Sequence, residues 1–122
     1  MMENETMETV AATRNNAGKP EMSYIFHYPH AVECLVRVME QGAIKYEAMN
    51  WKKGNKPDKE YFDACARHIF KHVNEGPYDE DLGVVHIAQA IWNLMTVLEL
   101  NMQDVAPQDV DFDQEAFVAK YS

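Results

Sequence analysis

The stretch LGVVHIAQAIWNLMTVLELNM, Leu82 to Met102, is apolar on nearly every side of a helix: Val84, Val85, Ile87, Ala88, Ala90, Ile91, Trp92, Leu94, Met95, Val97 and Leu98. A helix that is hydrophobic all round is a buried helix. His86, Gln89, Asn93 and Thr96 interrupt it at steps of three, four and three. At about 100° per residue these four fall on one narrow strip. An unpartnered buried polar group costs on the order of 1–3 kcal/mol, so the strip has to face something polar. The expectation is a central helix whose polar strip lines the floor of a site.

Two further helices are predicted ahead of it. The first runs from Pro29 to Tyr46 or Ala48, with proline in the first turn, where its missing N–H is not needed. Val32, Leu35, Val36, Met39, Ala43 and Ile44 form its expected core face, and Gly42 with Ala43 leaves room for a close approach. The second starts at Asp58, read as an N-cap after Pro57, and stops at Gly76-Pro77. Phe62, Ala66, Ile69, Phe70 and Val73 are its expected core face, beside a second strip of Tyr61, Cys65, His68 and His72 and a third of Asp63, Arg67 and Lys71. No run of four or more alternating residues stands out, so the chain reads as all-α. Three main helices make a thin bundle, which a homodimer or homotetramer would complete.

The 122 residues fit one domain, with a polar N-terminal arm over 1–18, a helical domain over 19–102 and an acidic tail over 103–122. A net charge of −9 argues against nucleic acid as a partner, since phosphate backbones need a basic surface. The acidic start MMENETMETV is unlike a signal peptide, and His86, Gln89 and Asn93 argue against a membrane span, so the expected location is the cytoplasm. Cys34 and Cys65 form no Cys-x-x-Cys pair and read as buried free thiols.

An acidic protein that handles phosphate needs local cations or a divalent metal. Three polar strips, Glu33–Arg37–Glu40, Asp63/Arg67/His68 and His86–Gln89–Asn93, can converge inside a bundle. Glu33 and Glu40 with Asp79 or Asp81 would suit Mg²⁺ (or Mn²⁺). Arg37, Lys45, Lys52, Lys53 and Arg67 would meet phosphate oxygens, and Trp51 or Tyr61 would stack on a base. Each has a plainer reading. Glu33–Arg37 is also an i, i+4 ion pair, Asp79–Asp81 a helix-start acid cluster, His86 a satisfied core histidine, and Asn50 to Pro57 a solvated basic loop. A Gly-rich phosphate loop, a Gly-x-Ser-x-Gly elbow and a His-Asp pair are absent from the sequence.

The strings GAIKYEAMNW (Gly42–Trp51), YFDACARH (Tyr61–His68) and GPYDEDLGVVHIAQAIWN (Gly76–Asn93), in that order, resemble the phage-borne dATP/dGTP diphosphohydrolases. These MazZ-like enzymes are related to the all-α MazG nucleotide pyrophosphohydrolases. The resemblance covers about Lys19 to Leu100 and implies an all-α, oligomeric, Mg²⁺-dependent enzyme. Such an enzyme splits a purine deoxynucleoside triphosphate into monophosphate and pyrophosphate, supplying dGMP where phage DNA carries 2-aminoadenine. Glu33 and Glu40 match the first-helix carboxylates; Arg67-His68, Asp79, His86 and Asn93 match other recurrent polar positions. The MazG relatives carry two Glu-x-x-Glu/Asp metal motifs, and no such pair is intact here at the expected places; Leu82 and Gln89 stand where serine and histidine are expected.

The expectation is therefore a helical diphosphohydrolase with Glu33, Glu40, Asp79 and His86 catalytic and Glu33, Glu40, Asp79 and Asp81 on the metal. Lys45, Asn50, Trp51, Lys52, Arg67, His68 and Asn93 would bind substrate. The alternative is a non-catalytic nucleotide-binding or regulatory module using the same pocket.

Overall fold

Pro29, Pro57 and Gly76-Pro77 punctuate the chain, and the helices lie between them. A computed structural model of the chain describes residues 19–54, 56–80, 83–105 and 113–122. The expected arm over 1–18 and the residues Asp81 and Leu82 lie outside the described residues. After a short 3-10 turn over Met22–His27, α1 spans Pro29–Lys45 with proline in its first turn. A second 3-10 turn, Asn50–Lys53, leads to α2, Asp58–Glu75. Pro57, extended at φ −70 and ψ 152, takes the N-cap position that Asp58 was expected to fill. The Asp58 carboxylate instead accepts from Asn101 Nδ2 at 3.3 Å. Gly76, at φ +110, ends α2 as predicted.

The central helix α3 spans His86–Met102, four residues shorter at its start than the apolar run suggested. Gly83 sits at φ +69, outside helical space, and Val84–Val85 form strand β2 against β1, Tyr78–Asp79. The pairing is antiparallel, Tyr78 opposite Val85 and Asp79 opposite Val84. Two adjacent β-branched residues suit a strand better than a helix start, and that preference settles the boundary. The Gly83 amide donates to the Asp79 carbonyl at 2.8 Å and the His86 amide to the Pro77 carbonyl at 2.9 Å. A last helix, α4, Gln114–Tyr121, falls in the expected tail and is capped by Asp113, whose carboxylate accepts from the Ala116 amide at 3.0 Å.

Helix α2 packs along α3, and α1 packs on α3 and β2. Asp58 meets Asn101, Tyr61 meets Trp92 and His68 meets His86, so α2 and α3 run antiparallel. Among the described residues the fold is all-α apart from the two-residue hairpin ladder. No described helix is long and apolar enough to cross a membrane. Both cysteines are free, Cys65 buried and Cys34 half-buried.

The faces are turned differently from the expectation. On α2 the buried or half-buried strip is Tyr61, Cys65, His68 and His72, while Phe62, Ile69, Phe70 and Val73 are exposed. On α3 the polar strip is buried with Ala88, Ala90 and Val97, and Ile87, Ile91, Leu94 and Leu98 are exposed. On α1, Val32 and Leu35 are half-buried, but Val36, Met39, Ala43 and Ile44 are exposed. An added Cβ at Gly42 would meet nothing within 4 Å, so no close approach uses it.

Two glycines should therefore respond with opposite signs. Gly42→Ala, in mid-helix, should gain about 0.5–1 kcal/mol of stability. Gly83→Ala should lose about 1–2 kcal/mol, because a Cβ is strained at positive φ. Thermal and urea melts of the two variants read the signs directly, and a stabilised Gly83→Ala would contradict the hairpin geometry.

Candidate active site

The four residues of the polar strip on α3 are almost fully covered: His86 is 3% exposed, Thr96 3%, Gln89 6% and Asn93 6%. Gln89 Nε2 donates to Asp79 Oδ2 at 3.0 Å, tying the helix to strand β1. Asn93 Nδ2 donates to the Gln89 carbonyl at 2.8 Å, one turn back. His86 Nδ1 lies 3.1 Å from His68 Nδ1 on α2, and the rings sit 5.4 Å apart. One of the two nitrogens must carry the proton and the other accept it, so the pair holds complementary tautomers.

His68, Asp79 and His86 thus converge, one ligating atom from each lying within 4.8 Å of the others. Burial pushes the His68 pKa down, the neighbouring His86 adds to this, and Lys71 and Arg67 push the same way against the pull of Asp79. One turn along α2, His72 Nδ1 is buried with no hydrogen-bond partner among the described residues. Beside the cluster a cleft of about 130 Å³ is lined by Lys71, Glu75, Tyr78, Asp79, Glu80 and His86.

The other predicted residues are dispersed. Glu33 pairs with Arg37 at 2.7 Å on an open face, both side chains 62% exposed. Glu40 is exposed, and neither glutamate joins a group of three potential ligands among the described residues. Lys45 lies over the Tyr46 ring and Lys52 over the half-buried Trp51, while Lys53 pairs with Glu47. Asn50 is half-buried in the same loop. That loop reaches α3 at Leu100, which comes within 3.8 Å of a Cβ built at Gly54. Fourteen residues of helix separate Leu100 from His86, about 21 Å. Tyr61 is only 6% exposed and packs on Trp92, so its ring is not open for stacking. Arg67 is exposed next to His68, and Asp63 is held by Lys59 at 2.9 Å.

Lys71 and Tyr78 were not singled out from sequence as site residues. Lys71 stands four residues after Arg67 on one strip, a visible signal, but its closeness to Asp79 depends on the hairpin. Tyr78 offered no signal beyond its place next to the acids.

The described residues form an all-α domain of the helical-bundle class with a buried polar cluster beside a cleft. The chain belongs to the dATP/dGTP diphosphohydrolase family: the family model described as "dATP/dGTP diphosphohydrolase, N-terminal" matches residues 9–110. It is a nucleoside triphosphate diphosphohydrolase, and deoxynucleoside triphosphates are its substrate class. No curated protein and no solved structure matches it.

The depressed His68 pKa has a definite sign for stability. The ordinary value is 6.5, and the folded chain favours the neutral ring, so below that pH the unfolded chain binds more protons. Stability of the metal-free protein should be full above pH 6.5 and fall as pH drops through the lower folded value. Melts in chelator from pH 8 to 5 should show this fall, flattened in His68→Asn; equal slopes for both chains would contradict it.

Proposed function

We propose that the chain cleaves purine deoxynucleoside triphosphates, dGTP and/or dATP, between the α and β phosphates, releasing monophosphate and pyrophosphate with help from a divalent metal ion. The carrying observation is the convergence of His68, Asp79 and His86 beside a cleft that holds Lys71. The donors fit a metal. Two imidazole nitrogens and a carboxylate oxygen face one another, and Gln89 steadies the carboxylate from behind. Nitrogen donors favour Mn²⁺ over Mg²⁺, which prefers oxygen. Such an ion would supply Lewis acidity and positive charge against the phosphates.

The chain's own groups would do the rest. Lys71 and Arg67 donate N–H groups to phosphate oxygens, bringing an anion to an acidic protein at the one end of α2 where cations cluster. In the metal-free chain the His68–His86 pair holds one proton between its Nδ1 atoms, and an ion bound there would displace that proton. Tyr78, 70% exposed at the cleft, offers its ring to the base. Glu33 and Glu40 on α1 are the second candidate ligand set, with Asp79 common to both. In a phage whose DNA carries 2-aminoadenine, the dGMP released would feed synthesis of that base.

Incubating the protein with each deoxynucleoside triphosphate and Mn²⁺ or Mg²⁺ should yield monophosphate plus pyrophosphate. Lys71→Met should raise KM about tenfold, equivalent to about 1.4 kcal/mol, and His68→Asn should cut kcat at least a hundredfold. Bound but uncleaved nucleotide would instead mean a sensing module. Turnover that survives His68→Asn and vanishes in Glu33→Gln would move the metal to α1.

A further inference from the structure

Glu75 occupies a position that local electrostatics disfavours. It is the last residue of α2, at the negative end of the helix dipole, where a cation rather than an acid is stabilising. Lys71 stands one turn earlier, and a lysine four residues ahead of a glutamate is the weaker order for a helical ion pair. The two do not pair: the ion pairs among the described residues are Glu33–Arg37, Glu47–Lys53 and Lys59–Asp63. Lys71 and Glu75 instead line the same cleft, together with the exposed Tyr78. A local stability rule broken without compensation, at the wall of a cavity, is where function is expected.

We propose that Glu75 reads the purine base and selects guanine over adenine, a reading that rests on the reaction proposed above. The order of groups along α2 runs as a nucleotide does. His68, in the imidazole–carboxylate cluster, is followed three residues on by Lys71 and seven residues on by Glu75, about 4.5 Å and 10 Å along the helix axis. A nucleotide likewise carries its anion at one end and its heterocycle at the other, with the sugar between. Phosphates drawn to Lys71 are repelled by the Glu75 carboxylate, so the base is the part left at that end. The cleft, about 130 Å³, lies well below the roughly 300–1,000 Å³ of a pocket that encloses a drug-sized ligand, so it takes one part of a nucleotide. An ionised carboxylate only accepts hydrogen bonds, through two oxygens. On its pairing edge guanine presents two parallel donors, N1–H and the 2-amino group, which match those oxygens as a guanidinium does. Adenine presents one donor, the 6-amino group, beside an N1 lone pair that would face an acceptor. Glu80, in the turn after β1, lines the cleft as well, but a helix holds a side chain in place more precisely than a turn does.

The test compares dGTP with dATP as substrates, and dGMP with dAMP as ligands, of the full chain in Mn²⁺. The wild type should favour guanine by about tenfold or more, in kcat/KM and in Kd. Glu75→Gln, whose amide offers one donor and one acceptor, should bring adenine level with guanine or ahead of it. Its Tm should be unchanged or slightly raised, as expected when an acid leaves a helix C-terminus; a purely structural Glu75 would lower it. Glu80→Gln removes the same charge from the same cleft and should move both nucleotides alike. A wild type that treats the two purines equally or prefers adenine overturns the proposal, and so does a guanine preference that survives Glu75→Gln. Guanine-selective binding that Glu75→Gln abolishes, without turnover of any deoxynucleoside triphosphate, would uphold Glu75 as the base reader and overturn the reaction instead.

Discussion

The hydrogen bond from Gln89 to Asp79 is the contact on which the interior depends. It joins the first turn of α3 to strand β1 and so fixes the hairpin against the helix. With Asp79 held there, His86 lies opposite His68, and Asn93 is free to bond the Gln89 carbonyl. Four polar side chains buried along one helix would otherwise carry a desolvation cost on the scale of the whole fold's stability. The interior contains few large apolar groups: Tyr61, Cys65, Val84, Ala88, Ala90 and Val97 are its buried apolar members among the described residues. Polar satisfaction, rather than a thick core, dictates how α2 and α3 face each other.

Much of this was legible in the residues. Pro29, Pro57 and Gly76-Pro77 marked helix ends because backbone chemistry at those positions is local. The strip His86, Gln89, Asn93 and Thr96 announced a polar interior because a buried polar group has to be answered. What periodicity could not decide was orientation. On α2 both the Tyr61–His72 strip and the Phe62–Val73 strip repeat at helical spacing, and the apolar one looked like the core. The partner of each strip is a tertiary fact, invisible to a single-helix pattern. The hairpin was missed for the same reason, since two-residue strands leave no alternation to read, and with it went the placing of Lys71 beside Asp79.

The expected carboxylate pair on α1 and the imidazole–carboxylate cluster at α3 embody different coordination chemistry. Oxygen-only sites are wet and suit hard cations, whereas a buried pair of histidines would offer an ion nitrogen donors once the proton between them is released. The acidic chain also keeps its cations apart: Lys53 and Lys59 are neutralised by ion pairs, and Lys52 and Lys45 lie on aromatic rings. Arg67 and Lys71 stand instead where they raise the potential around His68. Local charge, not net charge, decides where an anion goes.

The site is also short in sequence. Its three hydrogen bonds span 18, 10 and 4 residues, and everything from His68 to Asn93 belongs to one helix–hairpin–helix stretch. Closing so short a loop costs little chain entropy, and contacts of low sequence separation form early in folding. The polar cluster therefore adds little chain entropy cost beyond that of the α2–α3 pair itself.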